Sequence, residues 1–157
     1  MVTMSTETIT TISPTTNKPV LTRIGISPSE VEQLPIQAAK AFEKFKESTL
    51  KERQEIVKKA LRLLNEKQDV LAKELTEQMG RPIAYTAKEV TTAVKRGEYL
   101  LKISEEALKD TDGEAESGYK RFIRKVPVGP VLVLFAWNVC IITFQLPITT
   151  IFLIYFS

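Results

Sequence analysis

Pro127-Val128-Gly129-Pro130-Val131-Leu132-Val133-Leu134-Phe135-Ala136-Trp137-Asn138 is the stretch on which the fold turns. Val131 to Phe135 is a short, unbroken apolar run, the pattern of a parallel strand buried on both faces. Pro127, Gly129 and Pro130 interrupt whatever precedes it, because proline cannot donate to a ladder and glycine weakens one. A polar Asn138 closes the run. Beyond Lys125 no charged residue occurs in the remaining 32 positions, an asymmetry that sets this end apart from the rest.

Working outward from that strand, the upstream chain reads as helical. Tyr119 to Lys125 alternates loosely and is expected as an edge strand with basic residues facing water. Asp112-Gly113 and Ser117-Gly118 mark a turn-rich connection before it. A helix is expected from about Ile83 to Lys109, with Val90, Val94, Leu100, Leu101, Ala107 and Leu108 on its apolar face and Gly97 weakening its middle. Thr49-Leu50-Lys51-Glu52 has the form of a capping box. The apolar positions Ile56, Ala60, Leu64, Leu71, Leu75 and Met79 follow it at helical intervals, widened by Val57 and Leu61. That pattern predicts one helix of roughly 30 residues, or about 45 Å, ending at Gly80 and Pro82. Its spacing is mostly four residues rather than a strict heptad, which argues against a coiled coil.

Ser27-Pro28-Ser29-Glu30 is a second capping box, but Pro35 would clash with the carbonyl four residues back. The expectation is therefore a short turn at Ser29–Leu34, then a helix from about Pro35 to Glu47 burying Ile36, Ala39, Phe42 and Phe45. Residues 1–17, rich in Thr and Ser, are expected as a flexible arm. They lack the apolar core of a secretory signal and the arginines of a mitochondrial presequence.

Composition excludes several classes of function. The net charge is only +3, with no basic cluster interleaved with aromatics, so a nucleic-acid partner is not supported. There is no histidine, which removes the commonest general base and metal ligand. The single cysteine, Cys140, rules out an internal disulfide framework and any multi-thiolate zinc site. No metal site is expected, and a reducing, cytoplasmic location is the default.

With its flanks, the opening stretch resembles the P-x-G, strand, x-W-N pattern of the NAD(P)-dependent aldehyde dehydrogenase family, in wording similar to fungal succinate-semialdehyde-type members. Phe42 ahead of Leu50-x-x-Arg53, Met79-Gly80-Arg81-Pro82 beside that family's G-K-P turn, and Tyr99 on the following helix agree in order and spacing. The resemblance covers residues 16–138. It implies an α/β fold of which this chain supplies the N-terminal helices and first strand of the nucleotide-binding domain, incomplete and mostly helical. Residues 18–138 would be the partial domain and residues 139–157 a divergent apolar tail.

The resemblance also implies chemistry. In the family a cysteine thiolate attacks the aldehyde carbon, the oxyanion expels hydride onto NAD or NADP, and a glutamate-activated water hydrolyses the thioester. Asn138 matches the side-chain donor of the oxyanion hole, a role that suits an amide because it donates without titrating. Leu134, Phe135, Ala136 and Trp137 match the strand end where the family packs its cofactor. Taken as residues alone, Trp137 could be plain core and Asn138 a helix cap.

After Asn138 the pattern breaks. The family's Tyr-Pro or Phe-Pro pair and its A-G-N turn have no counterpart in residues 139–157. Cys140 has neither a glycine-rich frame nor a histidine partner and reads as a small buried hydrophobe. The expectation is a truncated chain that binds the dinucleotide weakly and does not oxidise an aldehyde alone. The tail has three competing readings: an accident of truncation, a membrane anchor, or a helix packed on the upstream helices. As a helix its 19 residues would span about 28 Å. Alternatives to the enzyme reading are a helical interaction module that associates with a full-length relative, or a small tail-anchored protein.

Overall fold

The structure, a computed structural model, describes residues 7–135 together with Ile141 and Thr149. Strand β1 (Thr8–Ile12) and strand β2 (Pro19–Ile24) form an antiparallel hairpin, with Thr10 opposite Thr22 and an irregularity after Thr11. Both strands are rich in Thr, Ile and Val, whose branched side chains fit a pleated surface. The turn between them is closed by the Ser13 N–H donating to the Lys18 carbonyl at 2.9 Å. Asn17 takes a positive φ of 56°, a conformation its short polar side chain tolerates. From Thr8 onward, therefore, the expected flexible arm is instead a paired strand.

Helix α1 (Pro28–Phe45) begins at the expected capping box, with Ser27 as N-cap and Glu30 reaching back to the Ser27 N–H. It runs straight through Pro35, so the expected turn and restart merge into one helix. The expected buried stripe is also corrected. No residue of α1 is buried: Ile36 is 61% exposed, Ala39 is exposed, and Phe42 and Phe45 are half-buried. α1 makes no extensive contact with another described element, which leaves Ile36 and Ala39 at the surface.

The predicted 30-residue helix is two helices, α2 (Leu50–Glu66) and α3 (Gln68–Met79), separated at Lys67. Lys67 departs from helical geometry, with φ −97° and ψ 14°. Helix α4 (Ile83–Leu108) matches its expected span closely. It is the spine of the molecule, with α2 and α3 both packed along it. The break at Lys67 lets two successive segments each turn a face toward that spine.

Val57 and Leu61 form the centre of the α2–α4 contact, backed by Leu50, Leu64, Leu100 and Leu101. Ile56 and Ala60, expected on the buried stripe, are exposed instead. On the α3 side Ala72 and Leu75 are buried, as are Val90, Ala93 and Val94 of α4. Several buried polar groups here are hydrogen-bonded, although Arg53 Nε is buried without a partner among the described residues. Gln54 Nε2 donates to Ser104 Oγ at 2.9 Å, and the Thr86 hydroxyl donates to the Ile83 carbonyl at 3.0 Å. Gly97, buried in mid-α4, stands where the sequence anticipated only a weak point.

Gly80 ends α3 in the left-handed conformation, φ 70°. A Cβ there would come within 2.8 Å of Pro14 Cγ, so the hairpin turn docks on the α3 terminus through glycine's missing side chain. Past α4, strand β3 (Thr111–Asp112) pairs with β4 (Phe122–Ile123). The expected edge strand of Tyr119–Lys125 thus shrinks to two residues.

Candidate functional site

The segment leading to Asn138 is not the buried strand that its apolar run suggested. Val131 to Phe135 pair with no strand among the described residues and lie open: Leu132 is 84% and Leu134 85% exposed, while Val133 is half-buried. A run this apolar becomes a strand only when neighbouring strands and covering helices bury it. No described element does so here. The Gly129 turn ahead of it has φ +114°, a backbone state open to glycine and strained for other residues.

Of the sequence-derived site residues, Leu134 and Phe135 are described, and both present apolar surface outward. Ala136, Trp137, Asn138 and Cys140 lie outside the described residues. Two residues of the tail are described, Ile141 and Thr149. Both have helical backbone, and Thr149 is 3% exposed.

Ile141 leads to a cluster that the sequence did not disclose. Its backbone N–H donates to Glu89 Oε1 at 3.2 Å, across 52 positions of sequence. Glu89 lies on the buried face of α4 with its side chain only 2% exposed, and its other oxygen accepts from Arg81 Nη1 in a close ion pair. Arg81 follows directly on the Gly80 stop. A stretch read as a helix stop and a family turn, with no chemistry of its own, therefore also delivers a cation to a buried carboxylate.

A second polar arrangement ties the α4 terminus to β4. Arg124 makes a two-nitrogen contact with the Asp110 carboxylate, at 2.8 Å from Nη2 and 3.1 Å from Nε. That hydrogen bonding, with the guanidinium charge behind it, holds the Asp110 carboxyl below its ordinary 3.8 and raises Arg124 in return. The same guanidinium stacks on Phe122, 4.7 Å from its ring centre. Lys125 Nζ donates to the Lys109 carbonyl at 3.0 Å.

These groups border a cleft of about 410 Å³ that also touches Ser48, Arg53 and Glu105. Arg53 Nη1 donates to the Ser48 carbonyl at 2.6 Å, and burial pulls its guanidinium below the usual arginine range. Within the cleft Asp110 and Arg124 pair with each other, while Arg53 and Lys125 donate to backbone carbonyls, so these groups act as a structural joint. A larger groove, about 710 Å³, runs along α1 and includes no residue of the Pro127–Asn138 motif or of the Glu89 cluster.

Among the described residues no group of carboxylates, cysteines or histidines could hold a metal ion. Nor is any described helix long and apolar enough to cross a membrane.

Comparison with known proteins decides the family. The family profile described as "Aldehyde dehydrogenase family" matches residues 1–152. The chain belongs to the aldehyde dehydrogenase family. Among curated relatives it is 30% identical over 128 residues to the 3-succinoylsemialdehyde-pyridine dehydrogenase of a Pseudomonas species, covering 81% of this chain and 26% of that protein. The 3-sulfolactaldehyde dehydrogenase of Pseudomonas putida is 25% identical over 132 residues, covering 84% and 27%. This aldehyde dehydrogenase chain thus spans about a quarter of the length of these relatives.

Solved structures agree on the fold. HpcC from Thermus thermophilus superposes with a TM-score of 0.86 at 21% identity, over 94% of this chain and 29% of that one. The NADP-dependent glyceraldehyde-3-phosphate dehydrogenase from Bacillus halodurans, solved with NADP, gives 0.85 at 16% identity, over 96% and 33%. The helices and short strands described above are accordingly a partial aldehyde dehydrogenase-like α/β fold.

Proposed function

We propose that this chain is the N-terminal portion of an enzyme that oxidises a semialdehyde to a carboxylic acid with NADP or NAD as hydride acceptor. The observation that carries the reading is the Pro127–Asn138 motif standing, in order, behind helices that superpose on aldehyde dehydrogenases over nearly the whole chain. Semialdehydes are favoured because relatives of 27–30% identity include succinate-semialdehyde dehydrogenases of Synechocystis and Mycobacterium leprae and the pyridine semialdehyde enzyme above.

In this reading Asn138 donates its side-chain N–H to the oxygen that becomes negative when a thiolate adds to the aldehyde. A fixed amide donor acts where charge develops and requires no proton to move on or off it. Leu134 and Phe135 offer an exposed apolar edge that a planar nucleotide ring can cover, and the same surface would otherwise favour aggregation. The dinucleotide, when bound, accepts the hydride. Residues 18–138 act as the partial domain, and residues 139–157 as a divergent apolar tail whose Ile141 N–H is held by Glu89 of α4.

Cys140 is not the nucleophile in this proposal, and it is the chain's only cysteine. Alone, the chain provides an oxyanion donor with no oxyanion to stabilise, so it turns over no aldehyde and holds the dinucleotide weakly. The decisive test joins residues 1–138 to the remainder of a succinate-semialdehyde dehydrogenase and follows NADP reduction. The chimera is expected to oxidise succinate semialdehyde, and Asn138→Ala to lower kcat by about 10²–10³-fold. An Asn138→Ala chimera as fast as its parent would remove the proposed role.

A further inference from the structure

We propose that the buried Arg81–Glu89 pair is a positioning device. It fixes the segment just after Asn138 by holding the Ile141 N–H. The proposal deepens the reading of Asn138 as an oxyanion donor and takes its functional meaning from that reading.

Glu89 occupies a place where an apolar residue would be the simple choice. Its neighbours on the same helix face, Val90 and Ala93, are fully buried, and Glu89 itself is 4% exposed. A carboxylate in such a place is costly unless both oxygens find strong donors. Both do: Arg81 takes Oε2, and the Ile141 N–H takes Oε1 at 3.2 Å. The division is specific, one oxygen for each partner, so the carboxylate bridges two parts of the chain.

Ile141 has helical backbone, yet its N–H is given to a side chain from another helix. A backbone N–H near a buried carboxylate is a strong donor for it, because the charge on the acceptor strengthens the bond. Glu89 therefore supplies this N–H with an acceptor delivered from α4. Arg81 sets its orientation from the α3–α4 connection, held by the left-handed turn at Gly80 and the ring of Pro82. Ile141 stands three positions beyond Asn138. A hydrogen bond that pins its backbone limits how far the intervening residues can swing, and an oxyanion donor misplaced by about 1 Å loses most of its effect.

The test uses the full chain and two readouts, amide hydrogen exchange at Ile141 and the emission of Trp137, the only tryptophan. Glu89→Gln and Arg81→Met are expected to speed Ile141 exchange by about tenfold or more. They should also shift Trp137 emission, while exchange at Val57 and Leu61 stays within about threefold of the parent. Arg81→Lys should restore both signals. Ile141→Pro, which deletes the donor and leaves the ion pair intact, should reproduce the Trp137 shift even if the charge variants fold poorly. Unchanged Ile141 exchange in Glu89→Gln would overturn the proposal. So would equal acceleration at Ile141, Val57 and Leu61, since the pair would then be a plain stabiliser. Neither readout involves turnover, so failure here leaves the chimera result for Asn138 standing, and the converse also holds.

Discussion

Gln54 of α2 and Ser104 of α4 meet 50 positions apart in the buried interface, the amide nitrogen donating to the hydroxyl at 2.9 Å. Ser104 passes a hydrogen on to the Leu101 carbonyl at 2.8 Å, so the pair is closed within the core. Ser104→Ala would strand the buried Gln54 amide, and we expect a loss of about 1–3 kcal/mol in urea unfolding. Combining it with Gln54→Leu should cost less than the sum of the two changes, because the stranded donor is then gone.

Leu61 and Ile56 give a direct measure of which helix face is the core. Leu61 is 4% exposed and Ile56 44%. Leu61→Ala should destabilise by about 2–5 kcal/mol, through lost burial and the cavity left behind. Ile56→Ala should stay near 0.5 kcal/mol, the scale of surface substitutions. Reversed magnitudes in chemical denaturation would mean that α2 presents its other face to α4.

Gly80→Ala adds a Cβ where φ is +70° and where Pro14 Cγ would lie 2.8 Å away. The left-handed backbone alone costs about 1–2 kcal/mol for a residue with a side chain. The Pro14 contact adds to it. In a Pro14→Gly background the same substitution should cost measurably less, and thermal melts of the four chains would show the coupling.

Acid should loosen the helix starts. Hydrogen bonds from the Ser27 hydroxyl and backbone hold the Glu30 carboxyl below its ordinary 4.5, and those from the Thr49 backbone and hydroxyl do the same for Glu52. A carboxyl whose folded value is depressed contributes stability above its unfolded value and loses it as pH falls through the folded one. The contribution is therefore full above about 4.5 and fades below it. Circular dichroism melts from pH 7 to pH 3 should show a smaller fall in Tm for the Glu30→Gln, Glu52→Gln double variant than for the parent. Both caps are exposed, so the difference is modest.

Local chemistry was legible, and tertiary choices were not. Ser27–Glu30 and Thr49–Glu52 declare helix starts within four residues, and both boxes form as read. The α3 stop at Gly80 and the span of α4 are equally local. The break at Lys67 is not, because the apolar periodicity continues across it and only the need of two segments to face α4 separates them. The exposure of Ile36 and Leu134 is invisible to periodicity for a related reason: a pattern marks a face able to be buried, not the element that buries it. The hairpin did carry a signal, in the Thr-Ile run of Thr8–Ile12 paired with the Pro19–Ile24 strand across a turn built on Ser13 and Asn17. Its Thr and Ser content masked it. Arg81, Glu89 and Ile141 had no signal at all, since nothing local joins positions 8 and 52 residues apart.

Aldehyde turnover by the purified chain tests the central claim most directly. With succinate semialdehyde and either NADP or NAD, formation of reduced nicotinamide should not rise above the rate without protein. Formation that depends on the aldehyde and disappears in Asn138→Ala would contradict the account, because it would place a working nucleophile and water-activating base within these 157 residues.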